Sequence, residues 1–425
     1  MARGPRNRVG PWVSGEDFWN REAELESLIR FLDDDHDVLL IAPRRVGKTS
    51  LVRQTLLKLE ERGRDYCVFV DLEDDASPEE AIVALSLATR PLQPLWKKVT
   101  SVFASRLKGV AARIEEIGID ELTLRLRQAV AGDWRASGDR LLEGLARADR
   151  PLIICFDELP VMLNRVLRER GPRITPEGRR TADLFLSWLR QAMQANQGRI
   201  RFIVCGSIGL EPIVRMAGLS HTIAHLRPFR LDAWPRDVAD SFLARLAEGY
   251  QVPLSADLRG RMLDLIGWCV PHHVQMFFGY VETSCRRLGA RSLDVAKIEG
   301  VYRTEMLGPC GHAELADYEE RLLRVLGEES RPLALVLLTE AAVVGELTFE
   351  AGRILARACQ PATANHENDL RVVLDVLLHD GYLREKTEQV GVFCFVSDLI
   401  RDWWRKRHGD GHVPAVERLR MEAGA

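Results

Sequence analysis

Val38-Leu39-Leu40-Ile41-Ala42-Pro43-Arg44-Arg45-Val46-Gly47-Lys48-Thr49-Ser50 is the stretch on which the reading of this chain turns. Four apolar residues predict a short buried strand, and Ala42–Ser50 then follows the spacing of a phosphate-binding loop that opens a helix. Gly47 lets backbone N–H groups curl around a phosphate without Cβ interference. Lys48 places a point charge on the β- and γ-phosphates, and the Thr49 hydroxyl is a hard oxygen ligand for Mg²⁺. Arg45, Val46 and Ser50 complete the expected cradle, and the helix beginning near Lys48 adds its N-terminal dipole. Ala42 stands where the pattern usually has its first glycine.

A second apolar run, Pro151-Leu-Ile-Ile-Cys-Phe156, ends in Asp157-Glu158. It predicts a strand buried on both faces with two acids at its C-terminal edge, where open α/β sheets bind ligands. After a phosphate loop the pair reads as chemistry: Asp157 for the Mg²⁺ shell, Glu158 to orient and deprotonate water. The long gap from Lys48 to Asp157 implies helices inserted between the two strands. A third strand, Arg201-Phe-Ile-Val-Cys205, leads to Gly206-Ser207, where the hydroxyl is placed to meet a γ-phosphate or the attacking water. A plain strand-to-turn Gly-Ser reads equally well on local sequence.

The chain has 425 residues, 46% hydrophobic and 28% charged, which gives room for two or three domains of an ordinary globular protein. Its longest apolar stretch, Leu333–Val344, is too short and polar to span a bilayer. The early arginines precede no apolar core, so no secretory signal is expected. Eight scattered cysteines without a Cys-x-x-Cys pair read as reduced thiols in a cytoplasmic protein with no membrane partner. A net charge of −3 argues against the whole chain being a nucleic-acid binder, yet the charge is uneven. Residues 161–202 hold nine arginines against three acids, whereas residues 317–410 hold twelve cations against seventeen acids.

Hydrophobic periodicity and breakers predict a flexible start at 1–16 and a P-loop core over 17–234. The core carries a helical insertion at about 78–148, and a basic loop at 165–178 precedes a helix near 180–196. A helical lid at 235–310, a connector with a winged helix at 311–410 and a flexible tail at 411–425 follow. Trp403 and Trp404 read as core rather than as a base-stacking platform.

The combination resembles the archaeal-type ATPases, relatives of the STAND nucleotide switches among the AAA+-like P-loop proteins. The resemblance rests on Phe18-Trp-Asn-Arg21-Glu-Ala-Glu24-Leu25, Ala42–Ser50, Phe156-Asp-Glu-Leu-Pro160, Gly206-Ser207-Ile-Gly209 and Phe395-Val-Ser-Asp-Leu-Ile-Arg-Asp-Trp-Trp404. Ala42 and the stretched lid element Gly267-Trp-Cys-Val-Pro271 depart from the family pattern. The resemblance implies an α/β fold of the ASCE P-loop NTPase type, with parallel strand order 5-1-4-3-2, a helical lid and a C-terminal winged helix. It implies ATP with Mg²⁺ as ligands, and Arg21 near the adenine.

Hydrolysis in such sites needs a cation opposite the transferring phosphoryl group. Arg190 is the first candidate and Arg179 and Arg180 the next, acting in the chain itself or from a neighbouring subunit. Slow turnover is expected of the isolated chain. Two functions compete: a Mg²⁺-dependent, slowly hydrolysing ATP/ADP switch coupled to a protein partner or self-assembly, and a DNA-acting ATPase of replication initiation, transposition or defence. The predicted recognition helix, Glu367–His379, offers Asp369 and Asp375 but only Arg371 as a cation, which weighs against DNA there. The intact acid pair counts against a non-hydrolysing adaptor, and the long helical lid against a kinase.

Overall fold

A computed structural model describes residues 5–10, 12–104, 118–169, 171, 173–288, 292–359 and 365–423. The chain divides into two compact units. Arg21–Ile41 with Lys48–Leu231 form a sheet unit; the described residues of 1–20, Ala42–Gly47 and Asp232–Ala425 form a helical unit.

The sheet unit is built on β1 (Val38–Ile41), β2 (Tyr66–Asp71), β3 (Leu152–Asp157), β4 (Ile200–Val204) and β5 (Arg227–Arg230), all parallel. Their spatial order is β2-β3-β4-β1-β5, which is the expected 5-1-4-3-2 read from the other edge. Every residue of β3 and β4 is buried, as their mostly apolar runs require; Arg201 inside β4 is paired with Asp65. Helix α1 (Glu22–Asp33) precedes β1, and α2 (Lys48–Arg62) begins at the lysine of the loop. Between β2 and β3 lie α3 (Pro78–Ala88), α4 (Gln93–Val102), α5 (Ile119–Val130) and α6 (Trp134–Ala146). These are the inserted helices that the long gap called for; the part of that expectation at 105–117 lies outside the described residues.

One expectation is corrected here. The basic loop read at 165–178 is helix at both ends: α7 spans Leu159–Arg168, and α8 spans Pro176–Ala195, starting earlier than expected. Leu159, Met162, Leu163, Val166 and Leu167 recur at helical spacing and are buried, so apolar periodicity overrides the charge of Arg165 and Arg168. Thr175 caps α8 by accepting from the Gly178 N–H at 2.9 Å, and Pro176 suits the first turn. Arg170, also part of that stretch, lies outside the described residues. Helix α9 (Leu210–Met216) follows β4.

In the helical unit, α10 (Arg236–Tyr250), α11 (Ala256–Ile266), α12 (Pro271–Leu288) and α13 (Val295–Val301) follow the expected amphipathic pattern. Helix α13 widens directly into a π turn over Tyr302–Met306. Helix α14 (Pro309–Val344) is broken at Gly327, whose φ of +74° only glycine adopts readily. Strand β6 (Leu347–Thr348), α15 (Phe349–Cys359), α16 (His366–His379), β7 (Leu383–Lys386), β8 (Gln389–Phe395), α17 (Asp398–His408) and α18 (Ala415–Ala423) complete the unit. Strands β7 and β8 pair antiparallel, and β6 adds a third antiparallel strand in the order β6-β8-β7. Trp403 and Trp404 are buried; the Trp404 indole N–H donates to Thr339 Oγ1 at 3.3 Å, which fixes α17 on α14. No helix among the described residues is long and apolar enough to cross a membrane.

Candidate functional site

The sheet unit gathers Lys48, Thr49, Asp157, Glu158, Cys205 and Ser207 at the C-terminal ends of β3 and β4 and the start of α2. Lys48 Nζ donates to Asp157 Oδ1 at 2.6 Å and lies 3.4 Å from Glu158 Oε1. Thr49 Oγ1 is 3.4 Å from Asp157 Oδ2. Ser207 holds the other oxygen of Glu158 twice, through its N–H at 2.7 Å and its hydroxyl at 2.8 Å.

Three side chains of this cluster are shifted: the Cys205 thiol is pushed well up by its hydrogen bond with Cys155 and by burial, and Lys48 and Asp157 are shifted towards their charged forms. Burial works against the Lys48 ammonium, but Cys205, Asp157 and Glu158 around it more than compensate and raise its pKa. Burial likewise pushes the Asp157 carboxyl up; the Lys48 charge, with hydrogen bonds from Lys48, Cys205 and the Glu158 N–H, reverses this and holds it below the ordinary aspartate value. Both groups are therefore ionised at neutral pH, with side chains about one-tenth exposed. Cys205, expected only as a buried thiol, points its Sγ at Asp157 Oδ1 from 3.3 Å.

Backbone conformation marks Glu158 and, in the loop, Gly47. Glu158 is left-handed, with φ +58° and ψ +22°, at the junction of β3 and α7. Such a conformation costs a non-glycine residue about 1–3 kcal/mol and is kept where surrounding structure imposes it. Gly47 has φ +98°, and a Cβ built there meets no atom within 4 Å, so the backbone angle rather than crowding demands glycine. Ala42 has a negative φ, so the absent first glycine costs no backbone strain.

The loop arginines belong to a second cluster, inside the helical unit. Arg45, with φ +64°, donates to Glu314 of α14, and its Nη1 lies 2.7 Å from His272 Nε2 of α12. Arg44 pairs with Asp317, one turn further along α14. Burial, then the Arg45 charge, pulls the His272 pKa down to about 4, so His272 is neutral at pH 7 and its Nε2 accepts from Arg45. No sequence signal joined these residues. Val46 is buried at 1% exposure and Ser50 at 8%.

The remaining expected residues stand elsewhere. Arg21 is buried and pairs with Glu24 Oε1 at 2.6 Å. Arg190 Nη1 donates to the His221 carbonyl at 3.1 Å and takes no part in the Lys48–Asp157–Glu158 contacts. Of the other arginines in the basic stretch, Arg165 donates to the Glu73 and Asp75 carbonyls, Arg168 to Asn164 Oδ1 at 3.0 Å, and Arg180 faces Glu177 at 3.5 Å.

No protein-family profile and no curated protein sequence matches the chain. Solved structures do. The Walker-type ATPase PABY2304 of Pyrococcus abyssi aligns over 94% of this chain and 99% of its own, with a TM-score of 0.59 at 19% identity. The ORC2 protein of Aeropyrum pernix, in its ADPNP–ADP complexes, aligns over 95% of this chain and 97% of its own, with a TM-score of 0.52 at 14% identity. The fold is that of the AAA+-like P-loop ATPases.

The hard oxygens of Thr49 and Asp157, side by side, are a donor pair that suits Mg²⁺, which takes one or two protein oxygens and completes its shell with water and phosphate. The buried Lys48 ammonium supplies the charge that a polyphosphate needs.

Proposed function

We propose that the protein binds ATP with Mg²⁺, hydrolyses it slowly, and uses its ATP and ADP states to switch between conformations read by a protein partner or by its own assembly. The observation that carries this reading is the Lys48–Asp157–Glu158–Ser207 constellation. Lys48 exchanges its carboxylate partners for β- and γ-phosphate oxygens. Thr49 and Asp157 hold the Mg²⁺ shell, which offsets phosphate charge when bound. Glu158, aimed by Ser207, takes a proton from water as the water oxygen bonds to the γ-phosphorus. The bond from that phosphorus to the bridging oxygen breaks, and its electron pair leaves with ADP. Arg45, Val46 and Ser50 contribute to the phosphate cradle, and Arg21 lies towards the base.

Slow turnover follows from the cation side. Arg190 is engaged with the His221 carbonyl; a finger that meets the γ-phosphate from a neighbouring chain accounts for an ATPase that accelerates on assembly. The switch draws on the loop segment Ala42–Gly47, which shares a unit with the lid helices proposed at 235–310 and the winged helix proposed at 311–410. Arg45 contacts α12 and α14 directly, so a change at the loop is felt there. A protein partner is favoured over DNA because several arginines of the 165–180 stretch are spent on contacts within the chain.

The test is ATP binding and turnover by the full chain, with and without Mg²⁺ and duplex DNA, while mass in solution is followed. Tight nucleotide binding with slow, DNA-indifferent, Mg²⁺-dependent turnover is expected. Turnover or assembly driven by DNA overturns the protein-partner reading, and absence of ATP binding overturns the site.

A further inference from the structure

Within the helical unit, α11, the π turn at Tyr302–Met306 and α17 enclose a cleft of 390 Å³. That volume suits a small organic ligand. The π turn is itself notable, since wide turns of this kind recur at functional sites, where they displace a side chain from the regular helical path.

The charges in the cleft are unequal in a specific way. Its carboxylates are already committed. Glu299 accepts from Arg261 at 2.6 and 3.0 Å, and Asp402 accepts from the Tyr302 hydroxyl at 3.1 Å and from Arg401 at 3.0 and 3.2 Å. Three cations are not. Arg303, carried by the π turn, is exposed, and its guanidinium makes no hydrogen bond or ion pair among the described residues. Arg405 is 59% exposed and reaches only to 3.8 Å from the already-paired Asp402. Lys406 gives one proton to the Leu307 carbonyl at 2.9 Å and keeps two. Leu265 and Leu307 supply an apolar wall.

Two guanidiniums and an ammonium around one small space call for more than a single negative charge. A carboxylate leaves most of that charge uncompensated, whereas a phosphate group brings about two charges and acceptor oxygens that match the guanidinium fork. A nucleic-acid backbone is the weaker fit, because it needs cations spread along a stripe several phosphates long. We propose that this cleft binds a small phosphate-bearing ligand, with Arg303, Arg405 and Lys406 on the phosphate and Leu265 and Leu307 against its apolar part. This site is separate from the Lys48 cluster and does not rest on the ATPase reading.

The test is calorimetric titration of the full chain carrying Lys48→Ala, which silences the phosphate loop, with inorganic pyrophosphate, with AMP and with a short DNA duplex. Saturable one-to-one binding of pyrophosphate or AMP is expected, and it separates an inorganic ligand from a phosphate ester. The double variant Arg303→Ala/Arg405→Ala weakens it about tenfold or more. Arg353→Ala, which removes an arginine of α15 outside the cleft, leaves it unchanged. Failure of both small anions to bind at millimolar concentration, binding indifferent to the double variant, or binding of the duplex alone overturns the proposal.

Discussion

Lys48 Nζ lies 2.6 Å from Asp157 Oδ1, and both side chains are nearly enclosed. The lysine balances a buried carboxylate, and under the proposed function it also meets phosphate when nucleotide is present. Lys48→Met is expected to abolish ATP binding in a direct titration. It also strands the Asp157 charge, at a cost of about 3 kcal/mol in denaturant unfolding at pH 7. The sign with pH follows from the lowered Asp157 pKa. The wild-type advantage is full above the unfolded value of 3.8 and fades as pH falls through the lower folded value. An unfolding midpoint that does not move at pH 7 contradicts the pairing.

Glu158 is held by Ser207 through two hydrogen bonds. Glu158→Gln keeps the shape and loses the base, so ATP affinity stays and turnover falls about a hundredfold or more. Ser207→Ala leaves the base and its backbone N–H bond but removes the hydroxyl bond, which loosens the carboxylate; kcat is expected to fall about tenfold with KM unchanged. A variant that changes KM alone moves Ser207 from positioning the base to binding substrate.

These residues were legible in the sequence because each sits at the end of a short, mostly apolar run. Val38–Ile41 leads into the loop, Leu152–Phe156 ends at Asp157-Glu158, and Arg201–Cys205 ends at Gly206-Ser207. The strand order came with the resemblance and is the one observed. Helix α7 was hidden by its charge: Arg165 and Arg168 drew attention from the apolar face of Leu159, Met162, Leu163, Val166 and Leu167. The Arg45–His272–Glu314 cluster left no trace in the sequence, because partners 227 and 269 residues away have no local signature. Cys205 read as an inert thiol, since nothing in one strand tells which neighbour's carboxylate it will face.

Arg190 donates to the His221 carbonyl, so within the chain it is a surface tie between α8 and the segment after α9. Its proposed role needs a second chain. Turnover per chain is expected to rise with protein concentration in the wild type. Arg190→Ala removes that rise while ATP affinity stays within about twofold. A normal concentration dependence in the variant returns Arg190 to a structural contact and shifts the search to Arg179 and Arg180.

Asp37, just ahead of β1, accepts from the Phe202 N–H at 2.8 Å. Burial, only partly offset by that bond, lifts its pKa to about 6. An acid raised in the folded state stabilises it fully below the unfolded value of 3.8, and this is lost as pH rises through about 6. Asp37→Asn keeps an acceptor for Phe202 without the charge. It is expected to raise stability by about 1–3 kcal/mol at pH 7.5 and to have little effect at pH 4. Equal gains at both pH values contradict the assignment.

Glu314 occupies the Arg45 guanidinium together with His272. A guanidinium bound to a carboxylate is not available to phosphate, so in the proposed phosphate cradle the pair would compete with nucleotide for the same arginine. Glu314→Gln removes the charge that holds Arg45 and leaves a side chain of the same length. ADP and ATP are both expected to bind about threefold to tenfold more tightly, with Arg45→Ala/Glu314→Gln returning affinity to or below the wild-type value. The neutral state of His272 sets a pH condition on this result. Its folded pKa of about 4 lies below the ordinary 6.5, so the neutral ring stabilises the fold fully above 6.5, and that contribution is lost as pH falls towards 4. The affinity gain is therefore read at pH 7 to 8, by fluorescence titration with each nucleotide. Affinities unchanged by Glu314→Gln place the Arg45 contact in the packing of the helical unit and remove it from the switch.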